Sequence, residues 1–148
     1  MLSQKTKYAL RALVFLAGRT ESPSASIAEV AVGAKAPRKF LEAILLELKQ
    51  AGFVDSRRGR FGGYTLAQPA SAVMFADVIR AMEGPLALAP CASRTAYRPC
   101  QDCFDVETCP IRAALLASRD AIANVLEHWS LETALQRPDL AADLTGLA

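Results

Sequence analysis

The sequence predicts a mainly α-helical fold that carries one small β-hairpin. Three observations predict it. Apolar residues recur at helical spacing through most of the chain. Two short runs, 53–56 and 64–66, flank a turn rich in Gly and Arg. From Pro110 an apolar stripe keeps alternating intervals of four and three residues. In chain order these give a winged helix-turn-helix unit followed by a long dimerisation helix.

Residues 5–18, KTKYALRALVFLAG, are apolar nearly all round, as suits a helix buried on most sides. The run also has the look of a secretory leader, but Arg11 and Arg19 leave only 12–18 uncharged between them, and a buried helix is the better reading. ESPSA is a loop. Ser26 and Glu29 then form the pattern S-x-x-E, a capping box that satisfies the first free amides of a short helix ending at Gly33. Pro37 opens a second helix, PRKFLEAILLELKQ. Its apolar stripe is Phe40, Leu41, Ile44, Leu45 and Leu48, and Gly52 closes it. A basic hairpin, FVDSRRGRFGGYTLA, comes next, and SAVMFADVIRAME (71–83) reads as a further helix ended by Gly84-Pro85.

The final helix carries Ile111, Leu115, Ser118, Ile122, Val125 and Trp129 on one seam. Such a seam can pack on its own domain or pair with its copy in a second subunit. Pairing is favoured because little sequence remains to cover it; His128 and Trp129 are read as core or seam residues, and the tail after Pro138 as frayed. The chain divides accordingly into residues 1–84, a winged helix-turn-helix domain; 85–109, a cysteine-bearing loop; and 110–148, the long helix and tail.

Composition narrows the function. With 52% hydrophobic and 22% charged residues, the 148-residue chain is an ordinary globular protein. No window reaches about 18 uncharged apolar residues, so no membrane span is expected. Charge is unevenly spread: residues 1–64 hold 11 Lys and Arg against 5 Asp and Glu, a net of +6, whereas residues 65–148 hold 6 against 10, a net of −4. A basic first half points to a polyanion as its partner.

Helix, short helix, turn, amphipathic helix and basic hairpin is the order of a DNA-binding winged helix. Arg38 and Lys39 lie in the first turn of the second helix, the end that enters a major groove. Glu42, one turn on, suits a cytosine amino group. Arg57, Arg58 and Arg60 sit among glycines at the hairpin tip, beside Tyr64, where arginine suits phosphates or a narrow minor groove. A binding module that does not touch DNA would leave those arginines unexplained.

All four cysteines, Cys91, Cys100, Cys103 and Cys109, fall in one turn-rich segment. In the cytoplasm, where this chain is expected to work, thiols stay reduced, so metal binding or redox chemistry outranks paired disulfides. Four thiolates suit an iron–sulfur cluster or a structural zinc. The Cys100-Gln101-Asp102-Cys103 pair would also suit a thiol switch. A small thiol oxidoreductase is a remote alternative, because no βαβ pattern surrounds the pair.

The sequence resembles the Rrf-two-type winged-helix transcription regulators, which include IscR, NsrR and RirA. The resemblance rests on KTKYALRALVFLA, on SIAEVAVGAKAPRKFLEAILLELKQAGFVDSRRGRFGGYTLA, and on IRAMEG before the cysteines, and it runs through nearly the whole chain. It implies a homodimer with paired long helices that binds a roughly palindromic operator on double-stranded DNA, with Lys5, Lys7 and Tyr8 of the first helix joining the DNA-facing set. It implies a repressor, not an enzyme, controlled by an iron–sulfur cluster (4Fe–4S or 2Fe–2S) that responds to iron, redox state or nitric oxide; zinc, a thiol switch or no metal are the alternatives. By resemblance Cys91 and Cys109 match the outer cluster ligands, and either Cys100 or Cys103 the middle one. Relatives complete the shell with a histidine where this chain has Arg112, or with a carboxylate from the partner subunit where it has Lys7. That makes four thiolates of one chain a natural option.

Overall fold

A computed structural model of the chain describes residues 2–103 and 105–137. The tail beyond Pro138, expected to be frayed, lies outside the described residues. Eight named elements follow in order: α1 (Gln4–Ala17), α2 (Ile27–Gly33), α3 (Arg38–Gln50), β1 (Val54–Arg57), β2 (Gly63–Leu66), α4 (Phe75–Glu83), α5 (Arg112–Leu126) and α6 (Leu131–Gln136). Short 3-10 turns stand at Ala70–Ala72 and Pro90–Ala92. The fold is mainly helical with a two-stranded antiparallel hairpin, the winged helix that the sequence predicts.

Local chemistry places the first three helices. Ser3 caps α1 by accepting from the Thr6 N–H. The capping box of α2 is complete: Ser26 Oγ accepts from the Glu29 N–H at 3.2 Å, and the Glu29 carboxylate accepts from the Ser26 N–H at 2.8 Å. Those bonds hold the Glu29 carboxyl below its ordinary range. The α2–α3 turn brings Lys35 to φ 49°, a backbone region that only a minority of side chains adopt.

Leu13 of α1, Leu41, Ile44, Leu45 and Leu48 of α3, Val54 of β1 and Val78 of α4 are almost wholly buried in one core. Side chains of this size contribute about 1.5–3 kcal/mol each on burial. Phe40 departs from the expected stripe: it is 47% exposed and stacks on Tyr8, with ring centroids 6.3 Å apart. Leu41, Ile44, Leu45 and Leu48 already complete the buried face, and Phe40 falls at its edge.

The hairpin pairs Val54 with Leu66 and Arg57 with Gly63. The loop before α2 also contributes: Ala25 bridges Tyr64 through two backbone hydrogen bonds, of 3.0 and 2.8 Å. The helix expected over 71–83 begins later, at Phe75, because Val73 is extended and buried and Met74 bridges to Ser130.

The C-terminal part differs most from expectation. Helix α5 ends at Leu126, so Trp129 lies beyond it, and the Trp129 carbonyl accepts from the Phe75 N–H at 2.9 Å. His128 is exposed, not core; its Nδ1–H donates to the Asn124 carbonyl at 2.7 Å. Ser130 then caps α6, and Leu131 is fully buried in the same core as α1. Among the described residues no helix is long and apolar enough to cross a membrane.

Candidate nucleic-acid interface and cysteine segment

Helix α3 presents Arg38, Lys39 and Glu42 to solvent while its opposite face is core. Lys39 Nζ lies 4.8 Å from the centre of the Phe40 ring, which gives the basic start of α3 an aromatic floor. Of the residues expected from α1, Lys7 is exposed and Tyr8 is half-buried against Phe40. Lys5 is engaged elsewhere, 2.9 Å from Glu47 of α3, so its charge fastens α1 to α3.

Arg57, Arg58 and Arg60 are all exposed at the hairpin, and the tip is closed by Gly62 N–H donating to the Gly59 carbonyl at 2.9 Å. Tyr64 is half-buried and holds the base of the wing through its backbone bridge to Ala25. Arg38, Lys39 and the wing arginines are thus set out on two neighbouring elements, joined where Lys49 Nζ donates to Ser56 Oγ at 2.7 Å. Sequence reasoning did not single out Phe61, at the wing tip beside Arg60. Its signal was an aromatic ring in a turn, with no strand to bury it.

The four cysteines are free thiols; Cys91 is buried and Cys100, Cys103 and Cys109 are half-buried. Cys91 sits in the 3-10 turn after α4. Its neighbour Cys91, and then burial, raise the Cys100 thiol above its ordinary value. Burial, then the charges of Cys109 and Cys100, raise Cys103. Gathered thiols resist ionising together unless a cation compensates them. Among the described residues no three Cys, His, Asp or Glu side chains stand as a single-ion site. The donor chemistry, four free thiols in one segment, is that of an iron–sulfur cluster's shell, although among the described residues the structure does not bring three of them together.

Polar contacts fasten this segment to α5. Arg94 Nε donates to Asp120 at 2.8 Å, and Arg112 Nε donates to the Cys91 carbonyl at 3.3 Å. Arg94 and Arg119 hold the Asp120 carboxyl well below the carboxylate range. At its far end α5 is tied to α4 through Arg80 and Glu127. Along α5, Ile111 (64% exposed), Ile122 (41%) and Val125 (56%) leave an apolar face open, with Leu115 and Ser118 half-buried between them.

The Rrf2 family, described as iron-dependent transcriptional regulators, matches residues 2–137. An Rrf2-like helix-turn-helix-type transcriptional regulator of Rhodobacter capsulatus is 42% identical over 147 residues, covering 97% of this chain and 98% of that protein. Among solved structures, CymR, the global cysteine regulator of B. subtilis, superposes with a TM-score of 0.72 at 28% identity, covering 90% of this chain and 94% of that one. IscR of T. potens has the same fold, with a TM-score of 0.72 at 24% identity over 95% of this chain and 90% of that one. The chain therefore belongs to the Rrf2 family, as a DNA-binding winged-helix transcriptional regulator and not an enzyme.

Proposed function

We propose that the chain acts as a homodimeric repressor whose operator affinity is set by an iron–sulfur cluster on Cys91, Cys100, Cys103 and Cys109. The observation that carries this reading is the placement of every cysteine in the single segment that joins α4 to α5. In this reading residues 1–84 bind DNA, residues 85–109 sense, and residues 110–148 dimerise in the cytoplasm, with α6 returning to the core of the first domain. Arg38, Lys39 and Glu42 face the major groove, and Arg57, Arg58 and Arg60 take phosphates and the neighbouring minor groove. Lys7 adds a backbone contact. The exposed seam of Ile111, Ile122 and Val125 pairs with its copy in the second subunit.

A bound cluster would tie the four thiolates into one ordered unit and supply a centre sensitive to oxidants and nitric oxide. The chain's own residues carry the consequence. Arg94 and Arg112 hold the cysteine segment on α5, so a change in that segment bears on the helix that spaces the two copies of α3. A coupling of about 1–3 kcal/mol changes affinity roughly 5–150-fold, enough for a switch.

The Cys100–Cys103 pair of free thiols favours a second reading, a thiol switch without metal; a related CymR, that of Staphylococcus aureus, is known in an oxidized form (26% identity, TM-score 0.67, over 90% of this chain and 94% of that one).

The test is anaerobic purification with a visible spectrum, assays of iron, sulfide and zinc, and DNA titration before and after exposure to air. Matched iron and sulfide, bleaching in air and a changed DNA affinity are expected. One zinc per chain, or no metal after reconstitution, would overturn the cluster.

A further inference from the structure

Phe61 stands at the tip of the wing and is 88% exposed, more than any other large apolar side chain among the described residues. β1 ends at Arg57 and β2 begins at Gly63, so neither strand carries it toward the core. The Arg60 guanidinium lies 5.8 Å from the centre of its ring. The turn closes through the Gly62 N–H to the Gly59 carbonyl, which leaves the ring projecting from the protein. A phenyl ring held in water by a closed turn lowers solubility and contributes nothing to the core. Its use lies in what the wing touches.

The surroundings select that partner. Arg57, Arg58 and Arg60 of the same hairpin are all exposed and suit the tip to a polyanion. A phenyl ring cannot take a phosphate or read the hydrogen-bonding edge of a base. In the minor groove that the wing arginines suit, the apolar surface a duplex offers is its deoxyribose wall, where arginine and apolar side chains are both at home. We propose that Phe61 is the wing's apolar contact with the minor groove, its ring against deoxyribose faces while Arg58 and Arg60 hold the flanking phosphates. The cation–aromatic pair with Arg60 keeps the ring oriented before DNA arrives.

The proposal deepens the DNA-binding reading, and its test separates the two. The probe is a duplex selected by the wild-type protein from a randomised pool; failure to select any duplex would sink DNA binding itself. On that duplex Phe61→Ala is expected to weaken binding about tenfold, as suits the removal of one apolar ring from an interface. The slope of log affinity against log salt should stay unchanged, because a phenyl ring releases no counterions. Arg60→Ala should instead lower that slope by about one. Phe61→Leu should recover most of the affinity.

Hydroxyl-radical footprinting, which reports on sugars, should show Phe61→Ala losing protection at one patch of deoxyriboses per half-site while the rest of the footprint stays. Affinity within twofold of wild type would overturn the proposal. So would a reduced salt slope in Phe61→Ala, or a footprint either unchanged or abolished throughout.

Discussion

Gly63→Ala tests whether the wing is braced by the loop before α2. Gly63 has φ +149°, and a Cβ there would lie 2.6 Å from the Ala25 carbonyl oxygen, 2.6 Å from Ser24 Oγ and 2.9 Å from the Ala25 carbonyl carbon. Two of those atoms are backbone, so the loop must move away, and the reciprocal bonds between Ala25 and Tyr64 stretch or break. Two backbone hydrogen bonds contribute about 1–3 kcal/mol together, and positive-φ strain adds about 1 kcal/mol. Reduced freedom of the unfolded chain returns about 0.4–1 kcal/mol. The net loss is about 1–3 kcal/mol, and a chain of this size loses about 2–4 °C of Tm per kcal/mol. Thermal unfolding followed by circular dichroism should therefore show a fall of roughly 2–12 °C. Gly59→Ala is the control: its φ is +111°, but nothing lies within 4 Å of an added Cβ. It should cost less than Gly63→Ala. An unchanged Tm for Gly63→Ala, or an equal fall for Gly59→Ala, would refute the brace.

Two further outcomes follow from the packing of the termini. The Glu83 carboxylate accepts from the Ser3 N–H at 2.7 Å and from Thr6 Oγ1 at 2.6 Å, and these bonds lower its pKa from 4.5 to about 2. A depressed folded pKa contributes stability above the unfolded value, lost as pH falls through the folded one. Glu83→Gln should therefore be less stable than wild type at pH 6–7, and urea midpoints should converge as pH falls from about 5 toward 2; a gap constant with pH would rule the linkage out. Leu131→Ala removes a fully buried side chain of α6 and should cost about 2–5 kcal/mol, lowering Tm by roughly 4–20 °C. A fall below about 2 °C would mean that α6 is not docked in the core.

What was legible in the sequence was local. The capping box of Ser26 and Glu29, the buried stripe of α3 and the Gly-rich hairpin each specify themselves within a few residues, and the structure holds all three. The end of α5 was not legible: no Gly or Pro stands between Leu126 and Trp129, and the spacing of the seam runs unbroken to Trp129. Ser130 and Thr133 did carry a cap signal for α6, but six residues form a helix only because Leu131 finds the core. Arg94 and Asp120 lie 26 residues apart, and no local pattern announces such a pair. For the cysteines, the sequence gathered the thiols into one segment, and only the fold showed which neighbours act on Cys100 and Cys103.

The way α5 is held bears on how a signal could reach DNA. Along its length only Ala123 is buried, with Leu115, Leu116 and Leu126 half-buried, and its polar attachments include Arg94–Asp120, Arg80–Glu127 and the Arg112 bond to the Cys91 carbonyl. Exposed ion pairs of this kind are individually weak. The winged-helix core is the opposite, with Leu13, Leu41, Ile44, Leu45 and Leu48 packed almost without exposure. Disturbing one such leucine costs about 2–5 kcal/mol, more than most of the 1–3 kcal/mol that a regulatory switch uses. Shifting α5 against its edge contacts leaves that core intact. This contrast supports a mechanism in which the DNA-binding unit moves as a rigid body. Under the proposed function, the cysteine segment would act by changing where α5 sits, and so the separation of two copies of α3 in a dimer, without altering the shape of α3 or the wing.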